Sequence, residues 1–248
     1  MSNFAHYPSL RNRHIFVTGG ASGIGRSIVE HFLAQGSQVS FVDIDADAAS
    51  TLHHPQAYFL KCDLQDIEHL KECIQKARVH FGPIAVLVNN AALDLRHDFK
   101  TLTPEEWDRL QNINLRPHLF TAQAVHEDMK EGGGGSIIHL SSNSYLLRVG
   151  GMPAYLSAKA GIVGLARALA RELGPDHIRV NTVLPGWVMT ERQLSLWLTE
   201  EAEKELLETQ CLKEKLYPED IARFVLYLAA DDSRMISGQE FILDGGRA

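Results

Sequence analysis

Seven short runs of β-branched and aromatic residues, separated by segments long enough for crossover helices, limit what this 248-residue chain can fold into more than any other feature. They are HIFVT (14–18), SQVSFVD (37–43), AYFLKCD (57–63), IAVLVNN (84–90), SIIHLS (136–141), IRVNTVL (178–184) and QEFIL (239–243). Near-continuous apolar strands alternating with helices are buried on both faces, the condition of a parallel sheet between two helical layers. The expectation is one doubly wound α/β domain spanning residues 1–248. No low-complexity linker divides it, and the glycines at 132–135 read as the turn and C-cap that follow a helix ending near Lys130. Residues 190–215 break the pattern as an acidic helical insertion before a last helix that opens at PEDIARFVLYLAADD. An insertion at that edge of a sheet can form a lid over a ligand.

The 45% hydrophobic content suffices for one continuous core. A net charge of −7 with no basic run removes the footprint of a nucleic-acid binder and disfavours docking on an anionic membrane. Cys62, Cys73 and Cys211 form neither a CxxC nor an even disulfide set, so they read as reduced, small core residues of an intracellular protein. The first residues lack the apolar stretch of a signal peptide and no run reaches transmembrane length, which gives a cytoplasmic expectation. The twelve histidines are scattered without HExxH or paired Cys/His spacing, and His53 and His54 stand beside Pro55 in an expected loop. They are expected to be solvated or singly hydrogen-bonded, with no metal bound.

TGGASGIG (18–25) follows the first strand. Gly19, Gly23 and Gly25 allow a tight turn, bring bare N–H groups against a phosphate and pack the next helix closely, with its positive end facing the anion. A glycine cluster by itself also fits a plain turn. Asp43 closes the second strand, eighteen residues past Gly25, where a carboxylate accepts from adenosine ribose hydroxyls and repels a 2′-phosphate. Neither Ser22 nor Ile44 is a cation that would welcome that phosphate, so NAD is favoured over NADP. The other reading of Asp43 is an N-cap for the DADAAS segment. Asp63 and the NNAA run (89–92) emerge from the carboxyl ends of the third and fourth strands, where such sheets bind ligands.

TGGASGIG, NNA, Asn114, Ser142 thirteen residues before Tyr155, the YxxxK of Tyr155 and Lys159, and Pro185-Gly186 occur in an order and spacing that resembles the short-chain dehydrogenase/reductase superfamily over the full length. One departure is Ala92 where the family usually has glycine. The resemblance implies a Rossmann-like sheet of order 3-2-1-4-5-6-7 and extends the cofactor-binding set to Gly19, Ser22, Gly23, Ile24, Gly25, Asp43, Ile44, Asp63, Leu64, Asn90, Ala91, Ala92, Tyr155, Lys159, Pro185, Gly186, Val188 and Thr190. Taking a proton from a carbinol as its hydride leaves requires a base, and a phenol of pKa about 10 is mostly protonated at neutral pH. Lys159 lies one turn after Tyr155, so its charge is expected to lower the phenol's pKa while its N–H groups hold the nicotinamide ribose. By resemblance, Ser142 steadies the reacting oxygen and Asn114 holds a water joining Lys159 to solvent. Without that context, Tyr155 and Lys159 would read as an aromatic anchor and a snorkelling lysine.

The loop 93–99, residues 142–145 and the segment 185–193 are expected to border substrate. They offer Asp94, Arg96, His97, Asn143, Ser144, Trp187, Arg192 and Gln193, whose polarity suits a hydroxylated molecule. YPSL (7–10), Arg96-His97, NINLRPHLF (112–120), ARALARELGPDHIRV (166–180), TERQ and QCLK are similar to bacterial sugar 1-dehydrogenases of this superfamily, the group that includes D-xylose dehydrogenases. That resemblance implies oxidation of the anomeric hydroxyl of a pentose or galactose-like hexose to a lactone. A polyol dehydrogenase and a 3-oxoacyl thioester reductase share the catalytic set; the acidic chain and Asp43 count against the thioester reductase, whose kind generally prefers NADPH. A non-catalytic NAD sensor would need no base. The resemblance also implies a homotetramer, with helices near 103–130 and 153–173 pairing across one interface and the last strand meeting its partner at another. Ile162, Leu165 and Leu169 suit burial in the core or between subunits.

Overall fold

The computed structural model describes residues 4–248. Its sheet contains β1 (His14–Thr18), β2 (Gln38–Asp43), β3 (Ala57–Lys61), β4 (Val86–Asn89), β5 (Gly135–Leu140), β6 (Ile178–Pro185) and β7 (Glu240–Leu243). All neighbours pair parallel, in the order β3-β2-β1-β4-β5-β6-β7. The order reverses between β1 and β4, which opens a crevice at the carboxyl ends of those two strands.

Two apolar layers hold helices on the sheet. On one face, α1 (Gly23–Ala34) and α9 (Pro218–Ala229) bury Ile28, Phe32, Ile221 and Val225 against Ile15, Val17, Val39 and Val86. On the other face, α3 (Ile67–Phe81), α5 (Arg116–Glu131) and α6 (Pro153–Leu173) bury Leu70, Ile74, Val125, Met129, Ala166 and Leu169 against Phe16, Leu87, Ile137 and Val180. Ile162 is fully buried and Leu165 packs on the second layer, so these two belong to the chain's own core. At about 25 cal/mol per Å² of apolar area removed from water, this two-sided burial is the dominant stabilising term.

The strand expectations hold to within a residue or two. Gly132 caps α5, and Gly133 and Gly134 take positive φ. Gly135, however, enters β5, where a Cβ would lie 2.5 Å from Met129 Cγ. Cys62 and Cys73 are buried and free as expected, whereas Cys211 is exposed and outside the core. The expectation of solvated or singly hydrogen-bonded histidines fails at several positions, His14 and His139 among them. His14 lies buried between the Gly82 carbonyl and the Ser40 hydroxyl, and His118 and His139 are buried against each other with Nδ1 atoms 3.0 Å apart. Burial pushes both paired imidazoles toward the neutral form, His139 down to about 3, with the nearby Lys159 charge adding to the effect.

Residues 190–215 fold as α7 (Glu191–Leu196) and α8 (Glu200–Thr209). Their carboxyl-terminal root is tied to the chain end: Cys211 and Leu212 donate backbone N–H groups to Gly246 and Gly245. Among the described residues, no helix is long and apolar enough to cross a membrane.

Candidate active site

Glycine loop and dinucleotide crevice: the loop between β1 and α1 is built for close backbone approach. A Cβ on Gly25 would lie 1.8 Å from the Gly19 carbonyl oxygen, and Gly19 itself has φ +69° with Ala91 Cα 2.8 Å from where its Cβ would be. Asn90 braces the loop, donating its amide to the carbonyls of Thr18 and Gly19, while Thr18 Oγ1 accepts from the Asn90 and Ala91 N–H groups. The Asn90 side chain therefore acts by positioning the loop.

The start of α1 fits an anion. The helices α3, α4 (Pro104–Asn114) and α8 are capped by Asp66, Thr103 and Thr199 and carry acids in their first turns. Ser22, by contrast, gives α1 no side-chain cap and its first turn holds no acid, leaving the N–H groups of Gly23, Ile24 and Gly25 for a phosphate. Asp43 accepts from the Ala21 N–H at 3.0 Å through one oxygen and from the Asp45 N–H at 3.1 Å through the other. The capping reading of Asp43 fails, because Asp45 is the residue that caps α2 (Ala46–Ser50). Ile44 is 63% exposed beside the crevice, an apolar surface suited to a flat base. Asp63 is exposed and Leu64 is buried behind it, while the Thr190 methyl lies 3.1 Å from the Cβ position of Gly23, closing the far wall. Val188 is buried in the same segment, and Gly186 packs where a Cβ would lie 2.6 Å from Asp244 Cβ. The residues present fit a nicotinamide dinucleotide.

Tyr155 and Lys159 lie on the first turns of α6, and the Ser142 hydroxyl lies near enough to the phenol to favour its ionised form. Ser142 Oγ also lies 2.8 Å from Ser144 Oγ and accepts from the Ser144 N–H. Lys159 is 1% exposed and donates to the Leu140 carbonyl at 2.9 Å, with Nζ 5.5 Å from the Tyr155 ring centre. The expected lowering of the Tyr155 pKa by Lys159 is absent from the chain on its own. Burial pushes the phenol well above its ordinary value, the Asp94 carboxylate adds to that, and the Ser142 hydroxyl opposes it. Burial brings Lys159 down to about 7, against a smaller upward pull from Asp94. A low-polarity surrounding penalises both charged forms, which is why burial moves the two pKa values toward the neutral species.

Asn114 is fully buried where α4 breaks into α5, and its amide accepts from the Leu93 N–H and donates to the carbonyls of Leu93 and Leu110. It fixes the start of the loop that carries Asp94. Asp94 in turn accepts from Gln193 Nε2 at 2.8 Å and pairs with Arg192 at 3.3 Å. Gln193 also accepts from Trp187 Nε1 at 2.9 Å, and the Arg96 guanidinium lies 4.1 Å from the Trp197 ring centre. These contacts clasp α7 to the loop. Trp197 was not singled out by sequence; only its place in an insertion hinted at it.

Two expected substrate contacts have other tasks. His97 Nε2 accepts from the Ala154 N–H and Nδ1 donates to the Leu95 carbonyl, so this ring caps α6, which Met152 leaves uncapped. Asn143 is buried and donates to Asp244. Burial alone would raise the Asp244 pKa, but hydrogen bonds from Asn143 and the N–H groups of Arg247, Ala248 and Gly246 outweigh it and hold the carboxylate low. A hollow of about 790 Å³ is lined by Arg96, His97, Phe99, Val149, Pro153 and Leu156 among others. Neither Tyr155, Lys159 nor Ser142 lines it, so it lies beside the chemistry rather than over it.

A protein-family model described as enoyl-(acyl carrier protein) reductase matches residues 19–248. A relative from Rhizobium meliloti named "Probable galactose dehydrogenase GalD" is 45% identical, over 98% of this chain and 97% of that one. D-xylose 1-dehydrogenase from Caulobacter vibrioides is 42% identical, over 98% of both chains. The structure of an aldohexose dehydrogenase from Thermoplasma acidophilum superposes with a TM-score of 0.87 at 26% identity, covering 97% of this chain and 96% of that one.

Proposed function

The chain belongs to the short-chain dehydrogenase/reductase family of oxidoreductases, and from that premise we propose that it is an NAD-dependent aldose 1-dehydrogenase. It oxidises the anomeric hydroxyl of a pentose or galactose-like hexose to the aldonolactone. The observation that carries the reading is Tyr155 beside Ser142 with the buried Lys159 one turn behind it, in a chain whose first βα turn is an uncapped glycine cradle. The galactose- and xylose-oxidising relatives supply the substrate class.

A bound nicotinamide would supply the hydride acceptor for the oxidation at the sugar's C1. Every other task falls to the chain. Gly23, Ile24 and Gly25 donate N–H groups to the pyrophosphate, and Asp43 faces the adenosine ribose, where its charge excludes a 2′-phosphate. Lys159 holds the nicotinamide ribose. Tyr155 removes the C1 hydroxyl proton, Ser142 donates to the oxygen as its charge develops, and Lys159 favours the phenolate. Asn114 holds the water through which the proton leaves. The clasp of Asp94, Gln193 and Arg192 orders the polar wall around the sugar and keeps water out. Free Cys62, Cys73 and Cys211 suit a reducing, cytoplasmic setting. The exposed Leu119 on α5 and the open edge of β7, with Ile242 46% exposed, suit pairing in a homotetramer.

The test is a substrate panel. Purified protein with NAD and D-xylose, D-galactose, L-arabinose or D-glucose is expected to form NADH and lactone, with NADP much poorer. NADH formation from polyols but from no aldose would overturn the substrate assignment.

A further inference from the structure

A soft-ligand cluster lies on the chain away from every residue assigned to the oxidation. Cys62 follows β3 directly, and His69 and Cys73 stand one turn apart on α3, on the same helix face. The two sulfurs and an imidazole nitrogen all lie within 4.8 Å of one another. Both thiols are buried, at 2% and 1% exposure, while His69 is half-buried, so the imidazole marks the side from which solvent reaches the sulfurs. Beyond their contact with each other, the sulfurs have long contacts of 3.6 Å to the Asp63 carbonyl and 3.9 Å to the Lys61 carbonyl, and they form no disulfide. Among the described residues the His69 imidazole has no hydrogen-bond partner; only its backbone N–H is engaged, by the cap Asp66.

Two cysteines and a histidine are the donor set of thiophilic ions and a poor one for Mg²⁺ or Ca²⁺, which take oxygen. Metal–sulfur bonds of about 2.3 Å and metal–nitrogen bonds of about 2.0–2.1 Å place tetrahedral donors roughly 3.3–3.8 Å apart. The cluster reaches that spacing by contracting about 1 Å, within the reach of side-chain rotation. We propose that Cys62, His69 and Cys73 form a three-ligand site for a thiophilic divalent cation of the Zn²⁺ kind, its fourth position open to water. Each thiol releases its proton to solvent as the ion enters, and His69 coordinates through an unprotonated nitrogen. Cys62 is the residue before Asp63 and Leu64, which on the proposed function border the adenosine end of the crevice. Drawing Cys62 onto an ion retracts that wall, so a filled site raises the KM for NAD and leaves kcat unchanged.

Co²⁺ is the probe, titrated without dinucleotide into reduced, metal-free Cys211→Ser protein, which removes the exposed thiol. One Co²⁺ per chain is expected, with thiolate-to-cobalt charge-transfer absorption and the intense visible bands of tetrahedral cobalt. His69→Ala, a change on a half-buried helix surface, and Cys73→Ala are each expected to weaken binding by more than the roughly 10–100-fold that losing an outer-shell partner costs. Absence of the charge-transfer band in folded protein, or its survival in both variants, overturns the site. This readout needs no dinucleotide, so it fails or stands independently of the proposed function. An unchanged KM for NAD at saturating Co²⁺, with the band present, overturns the link to the crevice.

Discussion

Replacing Asp94 by Asn removes one charge and almost no volume from the point where the lid, the substrate wall and the Tyr155–Lys159 pair meet. Its hydrogen bond from Gln193 Nε2 at 2.8 Å becomes a neutral one, a loss of about 1 kcal/mol given that bonds to charged groups contribute about 1.5–3 and neutral ones about 0.5–1.5. The 3.3 Å pair with Arg192, whose side chain is 52% exposed, contributes at most about 1 kcal/mol more. The clasp thus weakens by roughly 1–2 kcal/mol, a factor of about 5–30 in its closed population. KM for the sugar is expected to rise by that factor if the clasp orders the wall. The charge has a second effect of definite sign. Asp94 raises the pKa of both Tyr155 and Lys159, so its neutralisation lowers both. On the proposed function oxidation needs the phenolate, whose fraction grows with pH, so the rate is expected to climb toward alkaline pH and the whole profile to move to lower pH in Asp94→Asn. Initial rates of NADH formation across pH, at varied sugar concentration, measure both effects. An unchanged KM together with an unmoved or upward-moved profile would refute the reasoning.

Gly25→Ala places a methyl 1.8 Å from the Gly19 carbonyl, so the loop must open and dinucleotide binding, read by quenching of tryptophan fluorescence, is expected to be lost. Asp43→Ser removes a carboxylate whose repulsion of a 2′-phosphate is worth several kcal/mol, so the ratio of kcat/KM for NADP over NAD should rise by at least about tenfold. The same change frees the Ala21 N–H, so some affinity for NAD itself is lost. Asp128 is 9% exposed, takes Arg78 Nε at 2.7 and 2.9 Å and accepts the buried Ile84 N–H. Asp128→Ala leaves both donors unpaired and is expected to cost roughly 2–4 kcal/mol in urea unfolding with dinucleotide binding retained in the folded protein.

The sheet was legible because parallel strands buried on both faces cannot hide their apolar runs; even the boundaries of β1 are those expected from HIFVT. The glycine loop was legible because backbone approach at 1.8 Å leaves glycine no substitute at position 25. What sequence left unread was direction. It places His97 and Asn143 near the substrate, but it does not say that one ring turns to cap α6 and the other amide turns to Asp244, 101 residues away. The same holds for Lys159. Spacing puts its charge near Tyr155, whereas the balance between that charge and burial depends on how dry the site is, a property of the tertiary packing around it. The Cys62–His69–Cys73 cluster was missed for a related reason: a strand end and a helix bring together residues whose spacing matches no familiar metal motif.

On the proposed function the anomeric carbon gives its hydride to the dinucleotide while Tyr155 takes the hydroxyl proton. Incubating the protein with NAD and D-xylose or D-galactose deuterated at C1, then analysing the NADH by mass spectrometry, tests that most directly. The expected results are NADH carrying one deuterium, an unlabelled lactone, a primary isotope effect on kcat/KM if hydride transfer limits the rate, and a loss of about 10²–10⁴-fold in rate in Tyr155→Phe with NAD affinity preserved. NADH without deuterium, or a Tyr155→Phe variant as fast as the unaltered protein, would contradict it.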